Sequence, residues 1–570
     1  MPKYFLLFTF ISISSVTFCQ SADEKYHQNE TVTVKECIDF YKGLSYKYAN
    51  VHISQMGFTD MNQPLYCITV SKENIFDSTK TSILINNGIH PGEPCGVDAC
   101  MVWIKNILSS SDSKKLLDNV NLVIIPIYNV DGALNRNSYS RANQNGPKEY
   151  GFRGNAINLD LNRDFMKCDS RNTFFFHRVF QLFKPEIFVD THISDGADYT
   201  YTMTLIATQH NKFHPVLAAY MDTVMLPFLY NGMDKKNNTM FPYVESVAEI
   251  PDSGIAGFLD IPRFSTGYTS LFNTISFVTE THMLKPYPAQ VQATIDFLQT
   301  LLEFTHNNAA QIKAAKLKAD KLTATQKSFD INWKQTDTLT DSLLYKGYAA
   351  KYKKSNITGK DRLYYDEQQT ITKKIPFYNE CTATEKVIAP RAYIIPQQWW
   401  RVIDILRNNK IEMSALQNDS MIEVNCYYIT DYETTKKPYE NHYLHSKIKT
   451  RGEVQKIQFH KGDLIIYCNQ QANNYLANLL EPAAVDGVFA WNHFDAILQQ
   501  KEWFSDYVFE DVAEKLLQTD AALKTKFDAY VKENKIENDA NAQLIFLYRN
   551  SPYYEKSHNR FPVYKIVISY

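Results

Sequence analysis

The segment 83–93 places two potential metal ligands directly after a buried strand. The apolar run Ile-Leu-Ile at 83–85 predicts the strand, and Asn-Asn-Gly at 86–88 predicts the turn that ends it. His90 and Glu93 follow, and the spacing of apolar residues from 96 to 108 predicts a helix. Such a junction can direct an imidazole and a carboxylate at one metal ion. Because a His and a Glu three residues apart are common by chance, the metal interpretation depends on ligands elsewhere in the chain.

Strand patterns alternate with helix patterns from residue 34 to residue 310. Predicted strands lie at 51–56, 65–70, 81–86, 121–128, 187–190, 201–207 and 276–280. Predicted helices lie at 34–48, 96–108, 174–183, 215–229 and 288–304. This alternation predicts an α/β fold with a mixed central β-sheet flanked by helices. Several strands end in polar residues, and α/β folds bind ligands at the carboxyl ends of their strands.

At 570 residues the chain is too long for one ordinary domain, and its character changes beyond about residue 330. We therefore expect a first domain at 34–310. Residues 311–330 are rich in Ala and Lys and predict a helical connector. Residues 331–570 predict an accessory C-terminal region, mostly β with some helix. Its predicted strands lie at 348–353, 387–395, 422–429, 454–459 and 463–467, and its predicted helices at 399–408 and 511–533.

The first 20 residues have the pattern of a secretory signal peptide. Lys3 precedes an apolar stretch at 4–18 that is too short to span a bilayer, and polar sequence begins at Gln20. The mature protein is therefore expected to be exported, periplasmic or secreted, and to have no transmembrane segment. A lipid-modified Cys19 is the alternative, although the bulky Phe18 stands where a small residue is preferred.

Composition argues against a nucleic-acid partner and does not decide whether disulfides form. The net charge is −2 and no long basic run occurs, so nothing indicates a nucleic-acid partner. The cysteines that follow Cys19 are scattered, which fits neither a disulfide scaffold nor a Cys-x-x-Cys zinc site. One or two disulfides remain open in an oxidising compartment. The sequence does not indicate an oligomeric state.

Two later residues also end buried strands. His192 closes the strand at 187–190, two residues after Asp190, and is a candidate third metal ligand. Glu280 follows the mainly apolar stretch 275–279, where poor solvation would raise its pKa and suit it to act as a general base. Taken singly, each residue has an ordinary alternative, a hydrogen-bonded His or an ion-paired Glu.

The polar segment 155–165 contains an adjacent Asn162 and Arg163. An Arg beside an Asn can hold a substrate carboxylate by bidentate hydrogen bonds. Arg153, just upstream, could polarise a carbonyl and stabilise a developing oxyanion. The alternative for both arginines is an internal salt bridge within this Asp-containing segment.

The order of these motifs resembles the zinc carboxypeptidase family, the M14 or carboxypeptidase A-like metallopeptidases. The order is a His-x-x-Glu pair, an Asn-Val-Asp-Gly turn at 129–132, Leu-Asn-Arg-Asp-Phe at 161–165, a strand-end His and a strand-end Glu. The resemblance covers residues 40–305 and implies a carboxypeptidase-like fold there. It implies one Zn²⁺ per chain bound by His90, Glu93 and His192, with Glu280 as the general base that activates water.

The resemblance also implies which residues contact the substrate. These are Asn162 and Arg163 at the terminal carboxylate, with Tyr268 and Arg263 as further candidates. Arg153, rather than Arg141, is expected at the scissile carbonyl because it lies near the Asn-Arg pair. Tyr268 is the candidate for a Tyr that the family carries on a mobile loop.

The expected function is therefore that of an exported zinc metallocarboxypeptidase that hydrolyses the C-terminal bond of peptides with a free C-terminus. Two alternatives remain. One is a zinc amidase or peptidase acting on cell-wall peptides or N-acyl amino acids, and the other is a non-catalytic binding protein on a peptidase fold. Retention of all three ligands and Glu280 argues against the second. If zinc binds, the ligating atoms of His90, Glu93 and His192 should converge within roughly 4 Å of one another.

Overall fold

A computed structural model describes residues 22–566 of the chain. The predicted signal peptide at 1–20, including Cys19, lies outside the described residues. Within 22–566, no helix combines the length and the apolar character needed to cross a membrane. In the same range every cysteine is a free thiol, so the disulfides left open by the sequence are not formed there.

An eight-stranded mixed β-sheet forms the centre of the N-terminal part, as predicted. In spatial order its strands are Val51–Phe58, Pro64–Val70, Val120–Ile125, Thr81–Asn87, Ile187–Ser194, Ile275–His282, Met203–Ala207 and Met240–Pro242. The four strands from Val120–Ile125 to Ile275–His282 are mutually parallel. Their residues are almost all buried, which explains why they have nearly continuous apolar sequences.

Helices pack against this sheet. The α-helices of this part are Ala22–His27, Val34–Lys47, Cys95–Ser109, Ser111–Lys115, Val130–Leu134, Arg171–Phe183, Pro215–Tyr220, Leu226–Lys235, Ser265–Ser270 and Tyr287–Thr325. A π-helical turn at Met221–Met225 joins two of them, and short 3₁₀ turns lie at Leu116–Asp118, Leu161–Arg163 and Pro251–Ser253. The predicted helix at 288–304 and most of the predicted connector form one continuous helix, Tyr287–Thr325.

The chain after Thr325 is rich in strands, as predicted. The strands are Ser328–Gln335, Asp341–Lys354, Asp361–Tyr378, Cys381–Ile388, Ala392–Ile395, Ser414–Ala415, Ser420–Thr434, His445–Phe459, Leu464–Tyr467 and Tyr564–Ile566. The helices are Trp400–Asn408, Asn473–Leu480, Asp506–Thr519, Ala521–Asn534 and Ala540–Arg549, with a 3₁₀ turn at Asp495–Leu498. The strand expected at 387–395 is interrupted at residues 389–391, and the helix expected at 511–533 is interrupted at Asp520.

The N-terminal and C-terminal parts are closely packed. The hairpin of Asp341–Lys354 and Asp361–Tyr378 forms a four-stranded sheet with Glu245–Ser246 and Ile255–Ala256 of the N-terminal part. One hydrophobic cluster also contains residues from both parts. The C-terminal region therefore supports the segment 245–256.

Candidate metal centre

His90, Glu93 and His192 converge at the carboxyl ends of two neighbouring parallel strands, Thr81–Asn87 and Ile187–Ser194. Each is 3% exposed, and one ligand atom from each lies within 4.8 Å of the other two. Nδ1 of His90 is 3.2 Å from Oε1 of Glu93, and Nδ1 of His192 is 3.0 Å from Oε2. The Glu93 carboxylate thus lies between the two imidazoles. The separation of up to 4.8 Å between the three ligand atoms is slightly wider than the roughly 4 Å expected from zinc bond lengths.

The register of the sheet explains this convergence. Strand Thr81–Asn87 pairs in parallel with Ile187–Ser194, so the turn that follows Asn87 lies beside the end of the strand that carries His192. Ile187–Ser194 pairs in parallel with Ile275–His282, and Glu280 is the register partner of His192. Residues in register on adjacent strands point to the same face of a sheet. Glu280 is therefore delivered next to the three potential ligands.

A carboxylate contacts the outer nitrogen of each histidine. Nε2 of His90 lies 3.0 Å from Oδ1 of Asp160, and Nε2 of His192 lies 3.2 Å from Oδ2 of Asp190. Asp190 is fixed in turn by Ser265, whose hydroxyl donates a hydrogen bond of 2.6 Å. Carboxylates in this position set the tautomer and orientation of ligating histidines. Both imidazoles are thus held with Nδ1 directed at Glu93.

Charge within the cluster shifts several pKa values. Burial alone would raise the pKa of Glu93, but His90, Arg141 and His192 hold it well below its ordinary range. Burial likewise opposes the ionisation of Asp160, yet His90, Arg153 and Arg163 lower the pKa of its carboxyl. Burial would lower the pKa of His192, but Asp190 and Glu93 raise it. Glu93 therefore stays ionised, and its negative charge between the two imidazoles would attract a cation.

The residues fit a zinc ion. Two imidazole nitrogens and one carboxylate are a known ligand set for catalytic zinc, which leaves further positions open. Nδ1 of His90 is buried and, although it lies 3.2 Å from Oε1 of Glu93, it makes no hydrogen bond of acceptable geometry among the described residues. An unpaired buried acceptor or donor is costly, and a bound metal ion would satisfy this nitrogen.

Glu280 is half-buried at the edge of this cluster and faces the same cleft. Burial raises its pKa to about 8, an effect that Glu93 and Asp190 reinforce and that His192 and Arg141 oppose. A carboxylate in this environment readily accepts a proton. The role of Glu280 as a general base stays a prediction.

The cleft has a volume of about 210 Å³ and brings together most of the predicted site residues. Asn162 and Arg163 line it, and the Arg163 guanidinium stacks over the Phe264 ring at 4.5 Å. Arg153 also lines it, with Nε 2.9 Å from Oδ2 of Asp160. Arg141 is closer to the ligands than expected, because its Nη1 lies 2.6 Å from Oε1 of Glu93.

Tyr268 and Arg263 were predicted to contact the substrate, but neither residue lines the cleft. Tyr268 lies on the helix Ser265–Ser270, where its ring is fully buried and stacks on His177 at 4.5 Å. Its hydroxyl donates to Asn409 of the C-terminal region. Arg263 is also buried, and its Nε lies 2.8 Å from Oδ1 of Asp486. The C-terminal region therefore sequesters both side chains away from the cleft.

Other cleft residues were not predicted. Asp160 lies in the same segment as the Asn-Arg pair. Its contact with His90 was not predicted because the two residues are 70 positions apart in sequence. Tyr243 lines the cleft, and burial together with Glu280 raises its pKa. It follows the short strand Met240–Pro242, which the sequence analysis did not identify. Apolar side chains at Ile206 and Val278 complete this wall.

Comparison with known proteins gives a family for the part of the chain around the cluster. Residues 37–215 match the model of the zinc carboxypeptidase family, peptidase M14. Carboxypeptidase 2 of Trichophyton rubrum is 28% identical over 116 residues, which is 20% of this chain and 19% of that protein. Human carboxypeptidase O is 26% identical over 147 residues, which is 25% of this chain and 38% of that protein. The chain thus matches well under half the length of these relatives.

Solved structures are similar over about half of the chain. Carboxypeptidase A from Helicoverpa armigera aligns with a TM-score of 0.38 and 13% identity, over 51% of this chain and 74% of that one. A metallo-carboxypeptidase from Burkholderia cenocepacia aligns with a TM-score of 0.36 and 16% identity, over 49% of this chain and 70% of that one. The family match contains all three residues of the metal cluster. The segment 37–215, which carries His90, Glu93 and His192, therefore matches the zinc carboxypeptidase family, peptidase M14.

Proposed function

We propose that this protein is a zinc-dependent metallocarboxypeptidase that removes C-terminal residues from peptides. The observation that carries the proposal is the convergence of His90, Glu93 and His192 beside Glu280, in a cleft that Arg163 also lines. Metal ligands, a proton acceptor and a carboxylate-binding cation within one cleft are the groups that this reaction requires.

The residues of the cleft divide into distinct roles. Zn²⁺ bound by the three ligands would supply Lewis acidity toward a carbonyl oxygen and toward water. Glu280 accepts a proton from the attacking water and returns it to the leaving amine. Arg153 or Arg141 stabilises the negative charge that develops on the scissile carbonyl oxygen. Both guanidinium groups lie within 3.5 Å of Glu93. A cation would therefore lie near the negative charge on the carbonyl oxygen whichever of the two arginines stabilises it.

Arg163 and Asn162 select substrates with a free C-terminus. Arg163 is the last residue of a 3₁₀ turn and lines the cleft. The stacking of its guanidinium on Phe264 restricts the rotation of the side chain. A fixed guanidinium suits bidentate binding of a carboxylate. Tyr243, rather than Tyr268, is the tyrosine available to contact substrate in this cleft. The apolar wall that contains Ile206 and Val278 favours an apolar C-terminal side chain.

Glu280→Gln tests the chemistry directly. The variant should lose at least about 1,000-fold in kcat, because the amide cannot accept the proton, while it retains zinc. Metal content is measured by atomic absorption. Activity is measured as the rate of hydrolysis of a peptide with an apolar C-terminal residue. Glu514→Gln, on the exposed surface of helix Asp506–Thr519, is the matched control. Full activity of Glu280→Gln would refute the mechanism.

Peptide termini distinguish the proposed activity from its alternatives. The wild-type protein should prefer a free C-terminus over its amide by about 100-fold in kcat/KM, since the amide leaves Arg163 without its charged partner. Equal rates on the two peptides would favour an amidase or cell-wall peptidase. Failure to bind zinc would favour a non-catalytic binding protein. We also propose export, on the signal-peptide pattern of residues 1–20, which N-terminal sequencing of the mature protein tests.

A further inference from the structure

The turn that carries Asn162 and Arg163 is anchored in the core by its first residue, Leu161, which is fully buried, whereas Asn162 and Arg163 themselves are only partly buried. It is a single 3₁₀ turn, Leu161–Arg163, and Asn162 departs from helical backbone angles. Its side chains rest on the segment 264–265. The Ser265 amide donates to Oδ1 of Asn162 at 3.1 Å, and the Phe264 ring lies under the Arg163 guanidinium. The orientation of Asn162 and Arg163 therefore depends on what holds the two neighbours of the turn, segment 264–265 and Asp160.

Asp486 of the C-terminal region holds the first neighbour. Its carboxylate accepts two hydrogen bonds from Arg263, one from the backbone amide at 2.9 Å and one from Nε at 2.8 Å. The Arg263 guanidinium also lies over the rings of Trp491 and Tyr439, at 5.0 and 5.6 Å. This buried ion pair fixes the backbone directly before Phe264. The position of this backbone is thus set by a carboxylate 223 positions later in the chain.

Glu440 of the C-terminal region holds the second neighbour. It lies in the loop between the strands Ser420–Thr434 and His445–Phe459. Its Oε2 accepts a hydrogen bond of 2.8 Å from the backbone amide of Asp160, the residue that caps the turn. His442 in the same loop lies 2.8 Å from Oδ2 of Asp169, on the far side of the turn. The loop thus follows the outer side of the segment 160–169.

We propose that Glu440 and Asp486 are positioning residues for the carboxylate-binding pair Asn162 and Arg163. Neither side chain lines the cleft. They act through Asp160 on one side and through Arg263 and Phe264 on the other. The C-terminal region therefore completes the subsite for the substrate's terminal carboxylate. This inference rests on the proposed carboxypeptidase function for its kinetic consequence, but its structural consequence is independent of activity.

Glu440→Ala is the first test. It removes the acceptor of the Asp160 amide, so KM for a peptide with a free C-terminus should rise about 10-fold while kcat stays within two-fold. Zinc content and kcat/KM on the C-amidated peptide should stay close to wild type. Glu440→Gln retains an acceptor oxygen and should restore KM to within about two-fold. Glu453→Ala, an exposed glutamate on the strand His445–Phe459, is the matched surface control.

A second readout does not need catalysis. Hydrogen exchange at the Asp160 amide should be at least 10-fold faster in Glu440→Ala than in the wild type, and close to wild type in Glu440→Gln. If the wild-type protein hydrolyses no peptide, the proposed function fails on that result alone, and the exchange rates still decide the positioning role. Unchanged exchange and unchanged KM in Glu440→Ala would overturn the inference.

Asp486→Asn tests the other support. The loss of charge opposite Arg263 should raise KM for the free C-terminal peptide with kcat and zinc content preserved. Because the pair is buried, the variant could fail to fold, and Arg263→Lys is the second variant. It keeps the cation but loses the guanidinium stacked on Trp491. A normal KM in whichever variant folds would remove Asp486 from the proposal, and a simultaneous fall in kcat and zinc content would indicate general structural damage instead.

Discussion

Asp160 connects the metal cluster to the turn that carries Asn162 and Arg163, the proposed substrate contacts, through a single contact with His90. Its Oδ1 lies 3.0 Å from Nε2 of His90 and also accepts the Asn162 backbone amide at 2.9 Å. Its Oδ2 lies 2.9 Å from Nε of Arg153. One carboxylate therefore orients a metal ligand, caps the turn that carries Asn162 and Arg163, and holds a cation at the cleft. Metal affinity and substrate affinity should both depend on it.

Asp160→Asn should lower zinc affinity by about 10-fold to 100-fold, because a neutral amide neither fixes the His90 tautomer nor raises its basicity. KM should rise as well, since Arg153 loses its ionic partner. Zinc affinity is measured by competition with a chromogenic chelator. Asp112→Asn, on the exposed helix Ser111–Lys115, serves as the control. Wild-type zinc affinity in Asp160→Asn would show that Asp160 does not orient the ligand.

The convergence of His90, Glu93 and His192 beside Glu280 was predictable because these residues lie at or soon after the ends of three strands. The buried runs at 83–85 and 187–190 and the stretch at 275–279 identified three strand ends, and parallel pairing brings such ends together. Asp160 was not predictable in the same way, because it lies on an irregular segment whose position no local pattern fixes. Tyr268 and Arg263 were misplaced for a related reason. Their partners Asn409 and Asp486 lie in the C-terminal region, and sequence gives no register between the two parts.

Tyr243 and Tyr268 should respond in opposite ways to removal of the hydroxyl. Tyr243→Phe should raise KM several-fold with little change in stability, because Tyr243 lines the cleft and is half-buried. Tyr268→Phe should leave KM unchanged and lower the free energy of unfolding by about 1–3 kcal/mol, since Oδ1 of Asn409 loses its donor in the core. Steady-state kinetics and urea unfolding of both variants provide the comparison. A kinetic defect confined to Tyr268→Phe would restore it as the substrate contact.

The C-terminal strands were harder to predict than the central sheet. The strand Asp361–Tyr378 was missed, and only part of its partner Asp341–Lys354 was identified. Long stretches of both strands are exposed on both faces, so their sequences lack the apolar alternation that marks a half-buried strand. The fully buried strands of the central sheet carry a strong signal by contrast. Prediction from sequence therefore succeeded where burial was greatest.

Asp98 should make the stability of the protein depend on pH. It is fully buried on the helix Cys95–Ser109, and burial raises its pKa to about 6, although hydrogen bonds from Tyr287 and Val32 partly oppose the shift. The ordinary value is about 4. The folded protein therefore binds the proton more tightly than the unfolded chain. This contribution is fully present below about pH 4 and is lost as the pH rises through about 6, with a size of roughly 3 kcal/mol.

Asp98→Asn tests this dependence, because the amide resembles the protonated acid at every pH. The difference in melting temperature between the variant and the wild type should become more positive between pH 4 and pH 7. Other titrating groups are common to both proteins and cancel in the difference. Thermal unfolding followed by circular dichroism at the two pH values provides the measurement. An equal difference at both values would mean that Asp98 does not titrate in this range.

Gly96 should be intolerant of any side chain because helix Cys95–Ser109 begins in direct contact with the strand that carries His192. A Cβ at Gly96 would lie 2.0 Å from Oγ1 of Thr191 and 2.7 Å from Oδ1 of Asn87. Gly96→Ala should therefore cost about 3 kcal/mol of stability, and should weaken zinc binding by separating Glu93 from His192. Gly43, within the helix Val34–Lys47, has open space at this position, so Gly43→Ala should instead stabilise the protein by up to about 1 kcal/mol. Urea unfolding and zinc competition on the two variants decide the matter, and equal effects of the two substitutions would mean that helix and strand are not in close contact.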